Sequence, residues 1–305
     1  MKNDQFFIKS NLLSPGKRQK KSDFQVFQSS IDRLTVKPHL TLRACLSLHS
    51  KPDDPLGLVL PTKMIGSVLF RRTLQELKKF HAGKIPWDEK INDEELERNW
   101  LNYFEMLLGL DQVKFDRCFK PINAVGDPSL VTFDDGNPDA FGVCAYALYD
   151  LENGDRSAGL MMAKAKLGPL THKGETVKNE LCGAVLASRL KIWLIQESGV
   201  KFKDHHHFVD SMIVKEMLKK SSYGFNTFVG LRVGECQQKC NYEDWKHVPS
   251  KENISDILTR GSPPSALVPG SIWQEGLVWQ QSEWPVTPVS LCPRIKSLAT
   301  RFAIN

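Results

Sequence analysis

The chain has 305 residues, which is enough for one large domain or two domains of ordinary size. Hydrophobic residues make up 41% of it and charged residues 25%, and these proportions exclude a mostly disordered chain. The net charge of +6 is a mild basic bias, which suits a nucleic-acid partner without requiring one.

The sequence shows no sign of a membrane or secretory destination. No apolar run approaches the roughly 18–20 residues that span a bilayer, and the N-terminus lacks the pattern of a secretory signal. The seven cysteines are scattered and odd in number, which argues against a disulfide framework. We therefore expect an intracellular protein, cytoplasmic or nuclear, that does not contact membranes.

Four regions follow one another along the chain. Residues 1–40 are polar, and their basic cluster at 17–21 is typical either of a nucleic-acid-binding arm or nuclear signal, or of a solvated terminus, which we favour. Residues 41–122 should be mainly helical: apolar spacing predicts one helix that starts near Pro61 and a second over 93–108. Residues 262–305 form a tail rich in Trp and Pro that packs locally or links to another segment.

The region 128–261 alternates between strand and helix patterns. It predicts strands at 130–133, 141–149, 160–167, 207–209 and 245–248, and helices at 177–197, 211–219 and 227–238 with a short one through Ile257. The Asn153-Gly154 pair predicts a hairpin between the second and third strands. This order predicts an α/β fold: a mixed five-stranded sheet with flanking helices, preceded by the mainly helical segment.

Four acids occupy special positions in this layout. Asp135 ends the first strand, Glu180 lies in the first turn of the long helix, Asp210 ends the fourth strand and Asp256 sits on the last short helix. If strands one and four are neighbours, these carboxylates converge at one edge of the sheet. Crowded carboxylates repel one another, and Mg²⁺, which prefers oxygen ligands, relieves that repulsion. Two such ions about 4 Å apart support phosphodiester hydrolysis.

The sequence around each acid belongs to a longer motif. Residues 132–136, 179–190, 209–211 and 247–256 resemble the four acidic motifs of retroelement ribonuclease H domains. Residues 53–58, 225–237 and 273–285 resemble further segments of the BEL/Pao class of long-terminal-repeat retrotransposons. Together these segments span roughly residues 40–286 and identify the chain as a BEL/Pao-like fragment. The helical region 41–122 would then be the connection that follows a missing reverse transcriptase core.

The resemblance implies a ribonuclease H-like fold and hydrolysis of the RNA strand in RNA–DNA hybrids. It implies that Asp135, Glu180, Asp210 and Asp256 hold two Mg²⁺ ions, with Mn²⁺ as a substitute. Asp135 would bridge both ions, Glu180 and Asp210 would hold one, and Asp256 the other. Protein partners are not indicated.

Some residues depart from the family pattern. Residues 177–179 replace a Pro-Arg-Leu run, Gly136 and Asn137 replace Ala-Ser, Ser255 replaces Ala, and no histidine follows Pro249. All four acids are present, so we expect a weak metal-dependent nuclease. Lys178, Lys191 and Lys203 either flank a nucleic-acid groove or are ordinary solvated lysines.

Two alternatives stay open at this point. The chain can be an inactive remnant that binds nucleic acid or protein, and it has no Tyr-x-Asp-Asp polymerase turn. The same region of the family is also called a Pao retrotransposon peptidase, which implies aspartic peptidase chemistry. That chemistry needs an Asp-Thr/Ser-Gly turn, whereas the nearest run here is Asp134-Asp135-Gly136, so we favour the nuclease.

Overall fold

The computed structural model describes residues 5–7, 31–32, 40–81, 84–172 and 175–277. The chain forms two compact units. The helical unit comprises residues 1–55, 59–117 and 261–269, and the sheet unit comprises residues 56–58, 118–260 and 270–305. The basic cluster at 17–21 and the predicted tail beyond residue 277 lie outside the described residues. Within the described ranges, no helix has the length and apolar character needed to cross a bilayer.

The helical unit contains helices α1 (Leu42–His49), α2 (Leu60–Phe80) and α3 (Glu94–Leu108). Strands β1 (Gln5–Phe7) and β2 (Lys114–Asp116) pair antiparallel in the same unit. Pro61 is the second residue of α2, where its missing N–H costs no helical hydrogen bond. The indole of Trp100 on α3 donates a 2.9 Å hydrogen bond to Thr73 on α2. Both predicted helices are thus confirmed.

The sheet unit is built on five strands in the order β5-β4-β3-β6-β7. They are β3 (Ala124–Gly136), β4 (Ala140–Leu151), β5 (Arg156–Leu167), β6 (Asp204–Val209) and β7 (Trp245–His247). The pairs β3–β4 and β4–β5 are antiparallel, whereas β3–β6 and β6–β7 are parallel. The predicted mixed five-stranded sheet is therefore confirmed, including the pairing of its first and fourth strands.

In the described part of the sheet unit, five helices accompany the sheet: α4 (Thr176–Glu197), α5 (Met212–Lys219), α6 (Thr227–Lys239), α7 (Ser255–Arg260) and α8 (Ile272–Glu275). Neighbouring residues of a strand point to opposite faces of the sheet. A Cβ on Gly136 would meet the backbone of α4, whereas a Cβ on Gly142, whose register partner is Asp135, would meet Leu258 of α7. Helices α4 and α7 consequently cover opposite faces at this end of the sheet.

The first strand is longer than the sequence pattern suggested. β3 runs from Ala124 through Gly136, so Asp135 is its second-last residue and lies at the predicted end of the strand. The reason is the short turn to β4, where the Asn137 carboxamide accepts hydrogen bonds from the backbone N–H groups of Asp139 (2.9 Å) and Ala140 (2.8 Å). This closure lets the two strands pair up to Gly136 and Phe141.

Two other strands also start earlier than predicted. β6 begins at Asp204 because His205 and His206 pair with β3, and β5 begins at Arg156 because that residue pairs with Asp150 of β4. The long helix α4 begins at Thr176, which makes Glu180 its fifth residue and puts it just past the predicted first turn.

The core of the sheet unit lies between the strands and α4. Leu130, Val143, Ala145, Leu181 and Ala184 are among its fully enclosed side chains. Trp273 is also buried: its indole donates a 2.7 Å hydrogen bond to the Leu58 carbonyl, and its own carbonyl accepts one of 2.8 Å from the Tyr146 hydroxyl. The start of the Trp-rich tail thus packs within the sheet unit.

Candidate active site

Asp135 lies on β3 with its side chain toward α7. It is only 6% exposed, and one of its carboxylate oxygens, Oδ2, accepts a hydrogen bond from the Thr259 hydroxyl. The pKa of Asp135 is raised to about 6, chiefly by burial and additionally by the charges of Asp210 and Asp256, while the Thr259 hydrogen bond opposes the rise. Asp135 is therefore a buried carboxylate in the field of two others.

Glu180 enters the same region from the other face, on α4. Its Oε2 accepts a 2.5 Å hydrogen bond from the hydroxyl of Ser211, the residue that caps the N-terminus of α5. Burial raises the pKa of Glu180 to about 7, with further contributions from the charges of Asp210 and Asp135. Ser211 therefore both caps α5 and donates a hydrogen bond to Glu180, a candidate metal ligand.

Asp210 follows directly after β6, next to the end of β3. Its backbone carbonyl lies 3.1 Å from Nε2 of His247, at the end of the neighbouring strand β7. The Asp210 carboxylate raises the pKa values of Asp134, Asp135 and Glu180, which makes it the shared neighbour of the group. The parallel pairing of β3 with β6 is what brings these chain-distant acids to one edge.

Asp256 lies on α7 and interacts chiefly with a basic residue outside the group of acids. Its carboxylate forms an ion pair with Arg260 one helical turn later, although its charge also raises the pKa of Asp135. The pKa of Arg260 is raised chiefly by Asp256 and additionally by Asp135 and Asp210. The guanidinium of Arg260 thus partly neutralises Asp256.

Asp134 is a fifth acid that the sequence analysis did not include. Its side chain is 2% exposed, and Oδ2 has no hydrogen-bond partner among the described residues. Burial, followed by the charges of Asp210, Asp135 and Glu180, raises its pKa well above the usual range. A signal was present in the sequence: two consecutive acids in a buried strand must point to opposite faces, so neither can be dismissed as a loop residue.

The donor chemistry of this cluster fits a hard divalent cation. All the donors are carboxylates, the ligands that Mg²⁺ prefers, and Asp134 contributes a buried oxygen that no described side chain satisfies. In the described residues, however, no three His, Cys, Asp or Glu side chains stand together as a ready-made metal site. Side-chain rotation would be needed before Asp135, Glu180, Asp210 and Asp256 could share an ion.

Three of the departures from the family pattern, Gly136, Asn137 and Asn179, lie at one contact. The Asn179 carboxamide, fully buried, donates a 2.7 Å hydrogen bond to the Asn137 carbonyl and lies 3.0 Å from His172. Beside it, a Cβ on Gly136 would overlap the backbone of Asn179 and Glu180. Gly136, Asn137 and Asn179 therefore fit one another, and together they set the approach of Glu180 to β3.

The three lysines singled out in the sequence have different surroundings. Lys191 is only 7% exposed and lies 3.5 Å from Asp244, so it is not a surface lysine beside a groove. Lys203 forms an ion pair with Asp150. Lys178 pairs with Glu175 at 2.9 Å, and its ammonium lies 5.5 Å from the centre of the Phe228 ring.

Comparison with known proteins gives one clear result. No curated protein matches the chain. The family model described as the Pao retrotransposon-like RNaseH-like domain matches residues 41–211, more than half of the chain. The matched range contains Asp135, Glu180 and Asp210 and ends before Asp256. The chain therefore belongs to the Pao retrotransposon-like RNaseH-like domain family.

Proposed function

We propose that the sheet unit is a divalent-metal-dependent nuclease that hydrolyses the RNA strand of RNA–DNA hybrids. The observation that carries this proposal is the meeting of Asp135, Glu180 and Asp210 at the end of the central parallel strand pair, where the charge of Asp210 raises the pKa values of the other two. Burying several carboxylates together is costly without a cation. An apolar cluster would stabilise the fold better, so a metal-binding role explains the arrangement.

The protein's own residues would prepare the site. Asp135, Glu180, Asp210 and Asp256 would hold Mg²⁺ or Mn²⁺, which when bound activates water and stabilises the leaving oxygen of a phosphodiester. The hydroxyls of Thr259 and Ser211 each bond one carboxylate oxygen, on Asp135 and on Glu180, and would hold these carboxylates in position for a ligand. Arg260 would have to leave Asp256 before that carboxylate could bind an ion, which is one reason to expect weak activity.

The test compares the parent chain with Asp210→Asn. Both proteins are given a labelled RNA–DNA hybrid, an RNA duplex and a DNA duplex, with Mg²⁺, with Mn²⁺ or with chelator. We expect slow cleavage of the RNA in the hybrid by the parent with metal only, and none by Asp210→Asn. Thermal unfolding in metal-free buffer serves as the folding control, because removing one charge from a repelling group should leave the variant at least as stable.

Equal cleavage by both proteins would point to a contaminant or another site. A well-folded parent that binds the hybrid without cleaving it would favour the second candidate, an inactive nucleic-acid-binding remnant. The Asp256–Arg260 ion pair is the observation that favours this second candidate, because it holds one of the four acids away from a metal.

A further inference from the structure

A groove on the sheet unit begins beside the carboxylates. It has a volume of about 300 Å³ and lies between α4, α6 and the ends of β4 and β5. Its lining residue Phe141 is the register partner of Gly136, the residue after Asp135, and Cys182 follows Glu180 by two positions. The groove therefore starts where the acidic cluster ends.

The groove has an apolar floor and a basic rim. Phe141, Val185, Leu186 and Leu231 contribute apolar surface, and Leu231 is 70% exposed. Lys166, Arg189 and Arg232 stand at the rim with one acid, Glu235. Arg189 neutralises Glu235 through two hydrogen bonds of 2.6 and 2.8 Å, so the charge left at the rim is positive.

Arg232 is fixed in place without a carboxylate partner among the described residues. Its guanidinium carbon lies 3.6 Å from the centre of the Phe228 ring, Nη1 donates a 2.9 Å hydrogen bond to the Phe228 carbonyl, and Nε donates one of 3.4 Å to the Cys182 sulfur. Holding a cation this way without neutralising it prepares the cation for an anion that is not part of the chain.

The basic character continues along α4 away from the acids. Cys182, Leu186, Arg189 and Trp193 are three or four positions apart and so share one helical face. Trp193 is 40% exposed, and the ammonium of Lys164 lies 5.2 Å from its ring centre. Lys164 and Lys166 are both exposed on β5, two residues apart and hence on one face of the strand. Cations interleaved with exposed aromatic and apolar surface suit a single strand of nucleic acid, whose phosphates and bases need both.

We propose that this groove binds one strand of the nucleic-acid substrate next to the cleaved bond. Its phosphates lie against Lys164, Lys166 and Arg232, and its bases lie against the apolar floor and Trp193. The inference rests on the proposed function for its substrate, and it names the surface that holds that substrate. The carboxylate site and the groove are different residues, so they can be tested apart.

Binding is measured with the full chain carrying Asp210→Asn, so that cleavage cannot distort it. The probes are a fluorescent RNA–DNA hybrid and a fluorescent single-stranded DNA, and Kd is determined at several salt concentrations. The double variant Lys164→Glu/Lys166→Glu should weaken binding roughly tenfold or more. It should also make the slope of log Kd against log salt concentration shallower by about 1.4, because each of the two lost phosphate contacts to a single strand contributes about 0.7. Arg232→Gln should weaken binding in the same direction.

The control is Lys201→Glu, on an exposed lysine before the start of β6, at the opposite end of that strand from Asp210. It makes the same charge change as Lys164→Glu or Lys166→Glu alone, and these single variants are measured beside it. It should leave Kd within about twofold. Trp193→Phe should retain affinity and Trp193→Ala should lose it, because stacking needs an aromatic ring. Equal weakening by Lys201→Glu and by the groove variants would overturn the proposal, since only net charge would then matter.

The groove variants are also assayed in the chain with Asp210 intact. If the parent cleaves the hybrid, they should raise KM and leave kcat nearly unchanged. If the parent does not cleave but the Asp210→Asn chain still binds through the groove, the nuclease proposal fails and the groove stands. If the parent cleaves the hybrid and the groove variants leave Kd and the salt slope unchanged, the groove proposal is wrong and the nuclease proposal stands.

Discussion

The hydroxyl of Thr259 donates a hydrogen bond to Oδ2 of Asp135 and so ties α7 to the central strand β3. Both side chains are nearly inaccessible, at 2% and 6% exposure. The bond opposes the effect of burial on the pKa of Asp135, as does a hydrogen bond from the Gly136 backbone. Thr259 is therefore a positioning residue for the candidate site.

Replacing Thr259 with valine should weaken metal binding and raise the pKa of Asp135 above its present value of about 6. Valine keeps the shape but removes the only hydroxyl, and a buried acceptor that loses its donor costs roughly 1–3 kcal/mol. Calorimetric titration with Mg²⁺ at pH 6.5 and 8 measures the affinity for the metal and its dependence on the pKa of Asp135. Urea unfolding measures the loss of stability. Thr259→Ser should restore both, whereas equal behaviour of the two variants would contradict the role.

Ser211→Ala should disturb Glu180 as well as the start of α5. The serine oxygen accepts from the Val214 N–H at 3.4 Å and donates to Glu180 at 2.5 Å. Loss of a helix cap alone costs about 1 kcal/mol. Asn226→Ala is the matched control, since Asn226 caps α6 in the same unit. Both variants should lose similar stability, but only Ser211→Ala should weaken Mg²⁺ binding. A similar loss of Mg²⁺ binding in both variants would mean that Ser211 acts only as a helix cap.

Gly136→Ala should destabilise the sheet unit although it adds one methyl group. The new Cβ would overlap the backbone of Asn179 and Glu180, which cannot rotate away. Overpacking of this kind costs roughly 1–3 kcal/mol. Gly224→Ala is the control, because a Cβ there has no atom within 4 Å. Denaturant midpoints of the two variants give the comparison, and equal midpoints would mean that α4 shifts freely.

In the metal-free protein, Asp135 and Glu180 should stabilise the fold less as the pH rises from about 4 to about 7. Buried His207, whose pKa burial lowers well below its usual value, acts in the opposite direction, so the effect of the acids is measured by comparison with Asp210→Asn. The pKa values of Asp135 and Glu180 are raised from 3.8 and 4.5 to about 6 and about 7. The folded protein thus keeps protons that the unfolded chain has released, so their stabilising contribution is full below about pH 4 and is lost as the pH rises through the folded pKa values.

Asp210→Asn should flatten this decline, because the charge of Asp210 raises both pKa values. Saturating Mg²⁺ should restore stability above pH 7 in the parent, since the cation replaces the protons. The free energy of urea unfolding, measured from pH 4.5 to 8 with and without metal, tests both statements. An identical dependence of stability on pH in the metal-free parent and in Asp210→Asn would show that the acids are not coupled.

The sequence alone predicted the α/β class, the five strands, the principal helices and the family. These follow from local properties: hydrophobic periodicity, the Asn-Gly turn and motifs that each occupy a short stretch. Strand ends were less accurate, because the pairing of β3 with β4 up to Gly136 depends on a turn closed by the Asn137 side chain.

The tertiary structure decided what lies beside each acid. Thr259 and Ser211 have no local signature as site residues, since their partners Asp135 and Glu180 lie 124 and 31 positions away in the chain. The same holds for the groove, where the lysines of β5 meet α4 and α6 only after the sheet has formed. Residue type and spacing determine which side chains can do chemistry, but burial and charge coupling depend on contacts between distant segments, and these exist only in the folded chain.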